Sequence, residues 1–227
     1  KKINFLIFHY TGMKKESAAI KRLTDIQSEV GCHYFIKNNG EIITMVPDSY
    51  IAWHAGKSSW SNHKSLNKNS IGIEISNPGH EFNYKKFSKL QIVSILKLSK
   101  FLIKKYKIDI KNILGHSDIA PLRKKDPGEK FPWKYLSQNR VGLWHTIKNK
   151  DLLKNRKIKT TKIDKEFFFK NLYKIGYSKN ISKNTSNKKH LNCLTLAFQR
   201  RFRQEIIDGK VDGECLLISQ NLTKKFL

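Results

Sequence analysis

Three polar side chains, His9, His116 and Asp126, stand at places in the sequence where a mere scaffold has no need of them. His9 ends an apolar run, His116 follows a second short apolar run in GHSDIAP, and Asp126 lies in the irregular stretch RKKDPG. Two imidazoles and one carboxylate can fill three of the four tetrahedral positions around a zinc ion. The open fourth position is typical of a catalytic rather than a structural site, so these residue types are suited to a catalytic Zn²⁺.

Spacing alone is weak support for this trio. His9 and His116 are far apart in the sequence, and no HExxH motif is present. A histidine at a strand end is often a hydrogen-bonded polar residue, and an aspartate before Pro-Gly is often a turn former. On residue types alone, both the metal site and these simpler roles stay open.

Short apolar runs rich in β-forming residues predict the buried strands that would carry these side chains. The runs are INFLIFHYT (3–11), CHYFIK (32–37), EIITMV (41–46), SIGIEIS (70–76) and NILGH (112–116). The turn Asn38-Asn39-Gly40 separates the second run from the third, which predicts a hairpin.

Two helices are predicted between these strands. The first covers residues 16–30, and the second starts at Ser88, whose capping-box spacing with Gln91 marks a helix start, and continues to about residue 107. Strands mixed with helices indicate an α/β domain, which we assign to residues 1–147.

The remainder of the chain predicts a linker and a small helical domain. Residues 148–162 are dominated by Lys, Asn, Arg and Thr, which is typical of a linker. Residues 163–227 contain FFFKNLYKIG, which ends at the plausible helix C-cap Gly176, and two further short helical patterns. A tail of this size is small but can fold alone.

Composition limits the class of protein. Hydrophobic residues make up 39 % of the 227, so a disordered chain is excluded. The net charge of +27 attracts polyanions, among them nucleic acid, anionic membrane surfaces and carboxylate-rich polymers, without choosing among them. The basic residues are spread along the whole chain, and a biased genome explains them equally well.

Cysteine usage and hydropathy add two expectations. Three cysteines without a CxxC pair disfavour a thiolate zinc site and a disulfide framework. No stretch approaches the roughly 20 apolar residues that span a bilayer, so we expect no transmembrane segment. No signal peptide is visible, but the chain begins with Lys1, which leaves an export signal before it open.

The motifs FHYT, SIGIEISNPG and GHSDIAPLRKKDPGEKFPW, in this order, resemble the N-acetylmuramoyl-L-alanine amidase family of the AmpD/AmiD type. These amidases are relatives of phage T7 lysozyme and of the peptidoglycan recognition proteins. The segments CHYFIKNNGEI and AWHAGKSSW are similar to the same family, and AWHAG together with the tail favours the AmiD-like branch. The resemblance covers residues 3–145 and implies a mixed central β-sheet flanked by helices, with a small C-terminal helical domain.

The resemblance also implies the roles of five residues. His9, His116 and Asp126 match the zinc ligands, Glu74 the general base, and Lys124 the lysine that stabilises the transition state. These roles are physically sound, because zinc lowers the pKa of bound water to about 7 and polarises a scissile carbonyl. A buried Glu74 with a raised pKa suits proton transfer, and Lys124 adds positive charge near the oxyanion. A strand salt bridge for Glu74 and a solvated side chain for Lys124 are the alternatives.

One departure from the family is informative. Members similar to T7 lysozyme carry a catalytic tyrosine where this chain has Cys32, and they lack a glutamate at the place of Glu74. The resemblance therefore implies carboxylate rather than tyrosine assistance. We expect Cys32 to be a small buried residue and not a nucleophile.

Four further residues are candidates for substrate binding: His33, His54, Trp60 and Asn77. We expect His54 and Trp60 in the cleft wall, where they would hold sugar or stem peptide. His33 is expected on a strand, pointing inward or beside the metal, and Asn77 starts the NPG turn or hydrogen-bonds substrate. Packing alone explains each of them equally well. His63, His80, His145 and His190 have no motif support.

Three functions compete. The first is a zinc amidase that cleaves the amide between the lactyl group of N-acetylmuramic acid and L-Ala of the peptidoglycan stem peptide, with 1,6-anhydro muropeptides among its substrates. The second is a non-catalytic peptidoglycan recognition protein, against which Glu74, Lys124 and Asp126 argue together. The third, a nucleic-acid-binding protein, rests on charge alone and finds no supporting motif, so we expect no nucleic-acid partner.

Partners and compartment follow from the first reading. We expect a peptidoglycan or muropeptide substrate and a monomer. The envelope, as periplasm or outer-membrane association, is favoured over the cytoplasm. The tail either binds glycan or only packs against the catalytic domain.

Overall fold

The computed structural model describes residues 2–180 and 185–225. A mixed five-stranded sheet forms its centre. A separate two-stranded ribbon lies in the loop before the fourth strand of that sheet, counted along the chain. The strands are β1 (Phe5–Tyr10), β2 (Tyr34–Ile36), β3 (Ile42–Thr44), β4 (Ser59–Trp60), β5 (His63–Lys64), β6 (Ser70–Ile75) and β7 (Ile113–Gly115). All five predicted runs form strands, and the mixed sheet implied by the resemblance is confirmed.

The strand order in the central sheet is β3-β2-β6-β1-β7. β1 pairs in parallel with β6 and β7, and β2 pairs in parallel with β6, whereas β2 and β3 form the predicted antiparallel hairpin. Because the carboxyl ends of parallel strands meet at one edge, residues that follow β1, β6 and β7 converge there.

Residues 2–180 and 185–225 form eight α-helices, which surround the sheet. They are α1 (Glu16–Thr24), α2 (Lys89–Tyr106), α3 (His116–Ile119), α4 (Trp133–Gln138), α5 (Asn149–Arg156), α6 (Lys162–Ile175), α7 (Asn187–Phe202) and α8 (Gly213–Thr223). The first predicted helix is shorter than expected, since α1 ends at Thr24 and a single 3-10 turn follows. α2 has the predicted capping box between Ser88 and Gln91.

The two faces of the sheet are covered by different parts of the chain. Successive strand residues point to opposite faces. Leu6 and Phe8 of β1 pack in one cluster together with Ile95 and Leu102 of α2. Phe5 and Ile7, on the other face, pack in a second cluster that takes in the C-terminal helices. The metal-ligand candidate His9 continues the face of Phe5 and Ile7.

The predicted linker at 148–162 contains a helix that its composition did not indicate. Residues 149–156 form α5, which packs against α8. Arg156 of this helix donates two hydrogen bonds to Glu214, of 2.6 and 2.9 Å, and Glu214 is almost fully buried. A polar composition suggested a linker, but this buried ion pair orders the segment in a way that composition does not reveal.

The C-terminal helices share a core with the first part of the chain. Phe168, Leu172 and Phe198 belong to the same buried cluster as Phe5 and Ile7. The predicted division at residues 147 and 163 stays a prediction, and the tail packs against the first part of the chain in this shared apolar cluster. Within the described residues, no helix has the length and apolar character to cross a membrane.

Candidate active site

The three predicted metal ligands meet at the carboxyl edge of the sheet. His9 is near the end of β1, and His116 directly follows β7, whose last residue Gly115 pairs with Phe8. The loop that carries Asp126 is tied to the same place, because the backbone N–H of Ser117 donates to the Asp126 carbonyl at 2.8 Å. Adjacent parallel strands therefore bring together residues that lie more than a hundred positions apart.

The ligand atoms point at one another. Nδ1 of His9 lies 2.9 Å from Nδ1 of His116, and Oδ2 of Asp126 lies 3.1 and 3.0 Å from these two nitrogens. All three side chains are buried, and one donor atom from each lies within 4.8 Å of the others. Such a set matches the number and type of ligands of a catalytic zinc site.

The hydrogen bonds behind His9 fix which of its nitrogens is free to bind a metal. Ser70 Oγ donates to the Leu66 carbonyl at 2.6 Å, so it accepts a hydrogen bond from His54 Nε2 at 3.1 Å. His54 Nδ1 then accepts from His9 Nε2 at 3.0 Å. His9 therefore carries its proton on Nε2 and directs the lone pair of Nδ1 into the site.

His116 is fixed in the same way by a backbone carbonyl. Its Nε2 donates to the carbonyl of Ala55 at 3.1 Å, which leaves the Nδ1 lone pair facing His9 and Asp126. Two nitrogen lone pairs and a carboxylate oxygen repel one another at these distances. A cation between them removes that repulsion, so the donor set fits a divalent metal.

Electrostatics support this protonation. Burial, with a smaller effect of His116, lowers the pKa of His9 to about 4, so His9 is neutral at physiological pH. Burial opposes ionisation of Asp126, but the neighbouring imidazoles of His116 and His9 outweigh it and hold the pKa of Asp126 well below its usual range. Neutral imidazoles and an ionised carboxylate are the forms that bind metal.

Glu74 faces the site from the neighbouring strand. It is the register partner of His9 across β6 and β1. Burial, aided by the charge of Asp126, raises its pKa to about 8 against an opposing effect of Lys124. Its Oε2 is shielded from solvent and has no hydrogen-bond partner among the described residues. The predicted alternative, a strand salt bridge, is not what the structure shows.

Lys124 lies in the loop between His116 and Asp126 and lines the cleft with Glu74. Its positive charge lowers the pKa of both His9 and Glu74. The neighbouring Arg123 has a structural task. Its Nη2 donates to the carbonyls of Ala55 and Lys57, both at 2.8 Å, and so holds the loop that supports His116.

The four predicted substrate-binding residues differ in their position relative to the cleft. His54 lines the cleft and contacts His9, so its place in the wall agrees with the prediction, although its described contacts serve the ligand rather than a substrate. The structure places Trp60 in the interior, which is the packing role that was the alternative to substrate contact. Trp60 is 2 % exposed and packs edge-on against Tyr177 of the tail, with ring centroids 4.9 Å apart.

His33 and Asn77 stay predictions as substrate contacts, and the structure shows their polar atoms hydrogen-bonded within the protein. His33 is fully buried, its Nδ1 accepts from the N–H of Gly72, and its Nε2 donates to the Tyr50 carbonyl. Asn77 accepts from Gly79 N–H and donates to the Lys85 carbonyl, so it organises the turn after β6. A motif letter in the sequence does not tell which way a side chain points.

Cys32 is a buried thiol, as expected. It is fully shielded and packs with Ala19 and Phe35, and burial raises its pKa well above the usual value. A thiolate nucleophile is therefore excluded at this position.

The cleft above the metal ligands contains residues that the motifs did not reveal. Its volume is about 340 Å³, and its walls include Trp53, Tyr10, His80 and Arg22. Trp53 is 57 % exposed, an unusual state for an indole and a suitable platform for a sugar ring. Trp53 belongs to the AWHAG motif, but the sequence analysis selected the neighbouring His54 as the substrate-binding candidate.

A buried cluster of charged and polar residues packs against α3, the short helix that begins with His116. Asp118, two residues after His116, accepts from Arg201 Nη1 at 2.6 Å and from the Tyr177 hydroxyl at 2.7 Å. It also accepts from the N–H of Gly115 at 2.8 Å, while Arg201 donates to the Ile113 carbonyl. Arg201 and Tyr177 belong to the C-terminal part, so the tail takes part in positioning α3.

Comparison with known proteins agrees with this geometry. A sequence model of the family described as N-acetylmuramoyl-L-alanine amidase matches residues 1–129. The chain is 32 % identical to the N-acetylmuramoyl-L-alanine amidase AmiD of Escherichia coli over 237 aligned residues, covering 99 % of this chain and 84 % of AmiD. It is 39 % identical to the 1,6-anhydro-N-acetylmuramyl-L-alanine amidase AmpD of Haemophilus influenzae, over 49 % of this chain and 59 % of AmpD.

Two solved structures share the fold over almost the whole chain. E. coli AmiD in complex with the substrate anhydro-N-acetylmuramic acid-L-Ala-D-gamma-Glu-L-Lys superposes with a TM-score of 0.85 at 31 % identity, covering 99 % of this chain and 90 % of AmiD. AmpDh3 of Pseudomonas aeruginosa, in complex with anhydromuramic pentapeptide, gives a TM-score of 0.85 at 31 % identity, covering 100 % of this chain and 93 % of AmpDh3. The similarity therefore includes the C-terminal helices as well as the sheet.

Proposed function

The chain belongs to the N-acetylmuramoyl-L-alanine amidase family and is an amidase of peptidoglycan turnover, and we propose that it uses zinc to cleave the bond between the lactyl group of N-acetylmuramic acid and L-Ala. The observation that carries this proposal is the meeting of His9, His116 and Asp126 beside a cleft that Glu74, His116 and Asp126 line. Anhydro-muropeptides, which the AmiD and AmpDh3 structures hold, are the substrate class that we assign to this cleft.

When bound by the three ligands, zinc activates water and polarises the scissile carbonyl. Glu74 is placed to hold the proton that the attacking water gives up. Its unpartnered Oε2 and its pKa of about 8 in the metal-free protein suit a group that takes a proton and passes it to the leaving amine nitrogen. Lys124 supplies positive charge where the carbonyl oxygen becomes negative.

The cleft also fits an anionic substrate. Arg22, Arg123, Lys124 and Lys125 line it, against the carboxylates Glu74, Glu81 and Asp126. The Asp126 carboxylate contacts His116 in the metal site, and the raised pKa of Glu74 reduces its negative charge, so neither cancels the charge of the basic residues. The remaining basic groups favour the carboxylates of a stem peptide.

A muropeptide assay tests the proposed reaction. The protein is incubated with anhydro-muropeptide, and release of free stem peptide is followed with and without a chelator and after zinc is restored. We expect cleavage that the chelator abolishes and zinc restores. Cleavage at the same rate in the presence of the chelator would show that the reaction does not depend on zinc. Binding without cleavage by the zinc-loaded protein would favour the alternative function, a non-catalytic peptidoglycan recognition protein.

Two variant pairs test the assigned roles. Glu74→Gln is expected to lower kcat about 10²–10⁴-fold with unchanged zinc affinity, whereas Glu81→Gln on the cleft wall retains most activity. Lys124→Met is expected to lower kcat about a hundredfold, with Lys125→Met as the matched control. Normal turnover in Glu74→Gln would mean that another group moves the proton.

Compartment and assembly complete the proposal. We place the protein in the bacterial cell envelope, where intact peptidoglycan lies, and as a monomer. Fractionation of cells and light scattering of the purified protein test these two points. Recovery from the cytoplasm, or a dimer mass, contradicts them.

A further inference from the structure

The outer face of α2 is unusual for a surface helix. Leu90, Val93 and Phe101 are 60 %, 63 % and 55 % exposed. At 3.6 residues per turn these three positions fall on one side of the helix, together with Lys97 and Lys104. We call this surface, formed by Leu90, Val93, Lys97, Lys100, Phe101 and Lys104, the outer face of α2.

The charge of this face is of one sign. The 18 residues of α2 include five lysines and no aspartate or glutamate. In the described parts of the chain, no carboxylate lies within ion-pair distance of Lys97, Lys100 or Lys104. The nearby carboxylate Asp48 is paired with Lys105 at 2.9 Å, and Glu41 with Lys37 at 2.8 Å. The cationic character of the face is therefore not cancelled by its neighbours.

The outer face of α2 lies on the opposite side of the sheet from the metal ligands. α2 buries Ile95 and Leu102 against the sheet face of Leu6 and Phe8. His9 follows the alternation of Phe5 and Ile7, on the other face. A surface that binds the outer face of α2 therefore leaves the cleft open.

We propose that the outer face of α2 docks on an anionic phospholipid surface. Leu90, Val93 and Phe101 enter the boundary between head groups and acyl chains, and the lysines between them contact the phosphates. Interfacial binding combines burial of apolar side chains with attraction of basic side chains to anionic lipid, and the outer face of α2 presents both kinds of side chain. A soluble polyanion needs the lysines but gains nothing from three exposed apolar side chains, so the pattern favours lipid.

Vesicle sedimentation tests this proposal with the full chain. The probe is vesicles of phosphatidylcholine in which about a third of the lipid is phosphatidylglycerol, compared with phosphatidylcholine alone. We expect binding to the anionic vesicles only. The combined Lys97→Glu, Lys100→Glu and Lys104→Glu variant is expected to lose binding about a hundredfold. The combined Leu90→Ser, Val93→Ser and Phe101→Ser variant is expected to lose about tenfold or more.

A matched control separates a specific face from a generally basic protein. Lys188, Lys189 and Lys210 are exposed lysines of the C-terminal part. Their combined replacement by Glu changes the net charge by the same amount and is expected to reduce vesicle binding less than threefold. All three variants are expected to cleave soluble muropeptide at the normal rate, which also shows that they are folded.

Three results would overturn the proposal. One is the absence of binding by the unchanged protein to anionic vesicles. The second is equal loss in the α2 charge variant and in the C-terminal control. The third is normal vesicle binding by the apolar variant together with loss of heparin binding in the α2 charge variant, which would indicate a soluble-polyanion site.

A spectroscopic measurement keeps the proposal testable if a combined variant fails to fold. Phe101→Trp places an indole at a position that is already exposed and aromatic. Its emission, measured as the difference from the unchanged protein, is expected to shift to the blue when anionic vesicles are added. An unshifted difference spectrum at a lipid concentration that sediments the protein would show that α2 does not enter the bilayer.

Discussion

The hydrogen-bond chain from Ser70 through His54 to His9 controls the tautomer of a metal ligand. In Ser70→Ala the Nε2–H of His54 loses its acceptor in a buried place. We expect His54 to move its proton to Nδ1, where that proton faces the Nε2–H of His9. His9 must respond by placing its proton on Nδ1, where it blocks the metal.

The size of the effect follows from this chain. Loss of one buried hydrogen bond costs about 1–3 kcal/mol, and loss of a group that orients a metal-binding histidine lowers affinity about 10–100-fold. We expect zinc affinity to fall about tenfold in Ser70→Ala. His54→Ala, which removes the direct acceptor of His9, is expected to approach a hundredfold.

A competition titration with a chromophoric chelator measures these zinc affinities. Ser99→Ala is the matched control, because Ser99 is also fully buried but its Oγ has no hydrogen-bond partner among the described residues. Its zinc affinity is expected to stay unchanged. If Ser70→Ala and Ser99→Ala bind zinc equally well, the tautomer of His9 is not set by this chain, and the reasoning is refuted.

Three further predictions concern the cleft and its support. Burial raises the pKa of Glu74 to about 8 from 4.5 in the metal-free protein, so its contribution to stability is complete below about pH 4.5 and lost as pH rises through 8. Urea unfolding should show a loss of roughly 5 kcal/mol across this window, absent in Glu74→Gln. Arg201→Met should cost about 3–5 kcal/mol because it leaves buried Asp118 without its cation, and adding Asp118→Asn should recover part of this in the same assay; additive losses would contradict the pairing. Trp53→Ala should raise KM for muropeptide about tenfold without changing zinc affinity or thermal unfolding, and an unchanged KM would remove Trp53 from substrate binding.

The sheet and the ligands could be predicted because each depends on a strong local signal. The β-forming run around His9 and the capping box of α2 both appear in the structure. The family motifs then named the trio that meets at the sheet edge. Residue types alone left that trio open, because a parallel sheet joins positions that are distant along the chain.

Two things could not be predicted: the direction of individual side chains and the pairing of residues that are distant in the sequence. Trp60, His33 and Asn77 are polar or aromatic residues in or beside motifs, yet all three face the protein interior. The helix α5 was missed because Arg156 finds a buried partner in Glu214, which is distant in the sequence. Spacing does not encode such long-range pairing, and only the folded chain shows it.

The buried contact between Asp118 and the C-terminal helices limits how this protein can be divided. A fragment that ends before α6 would leave the Asp118 carboxylate without Arg201 and Tyr177, directly beside a metal ligand. It would also uncover Leu114 and Ile119, which pack in the cluster shared with the tail. The C-terminal helices are therefore not an exchangeable module, and gene fusions that transplant the first part alone would transplant a weakened catalyst.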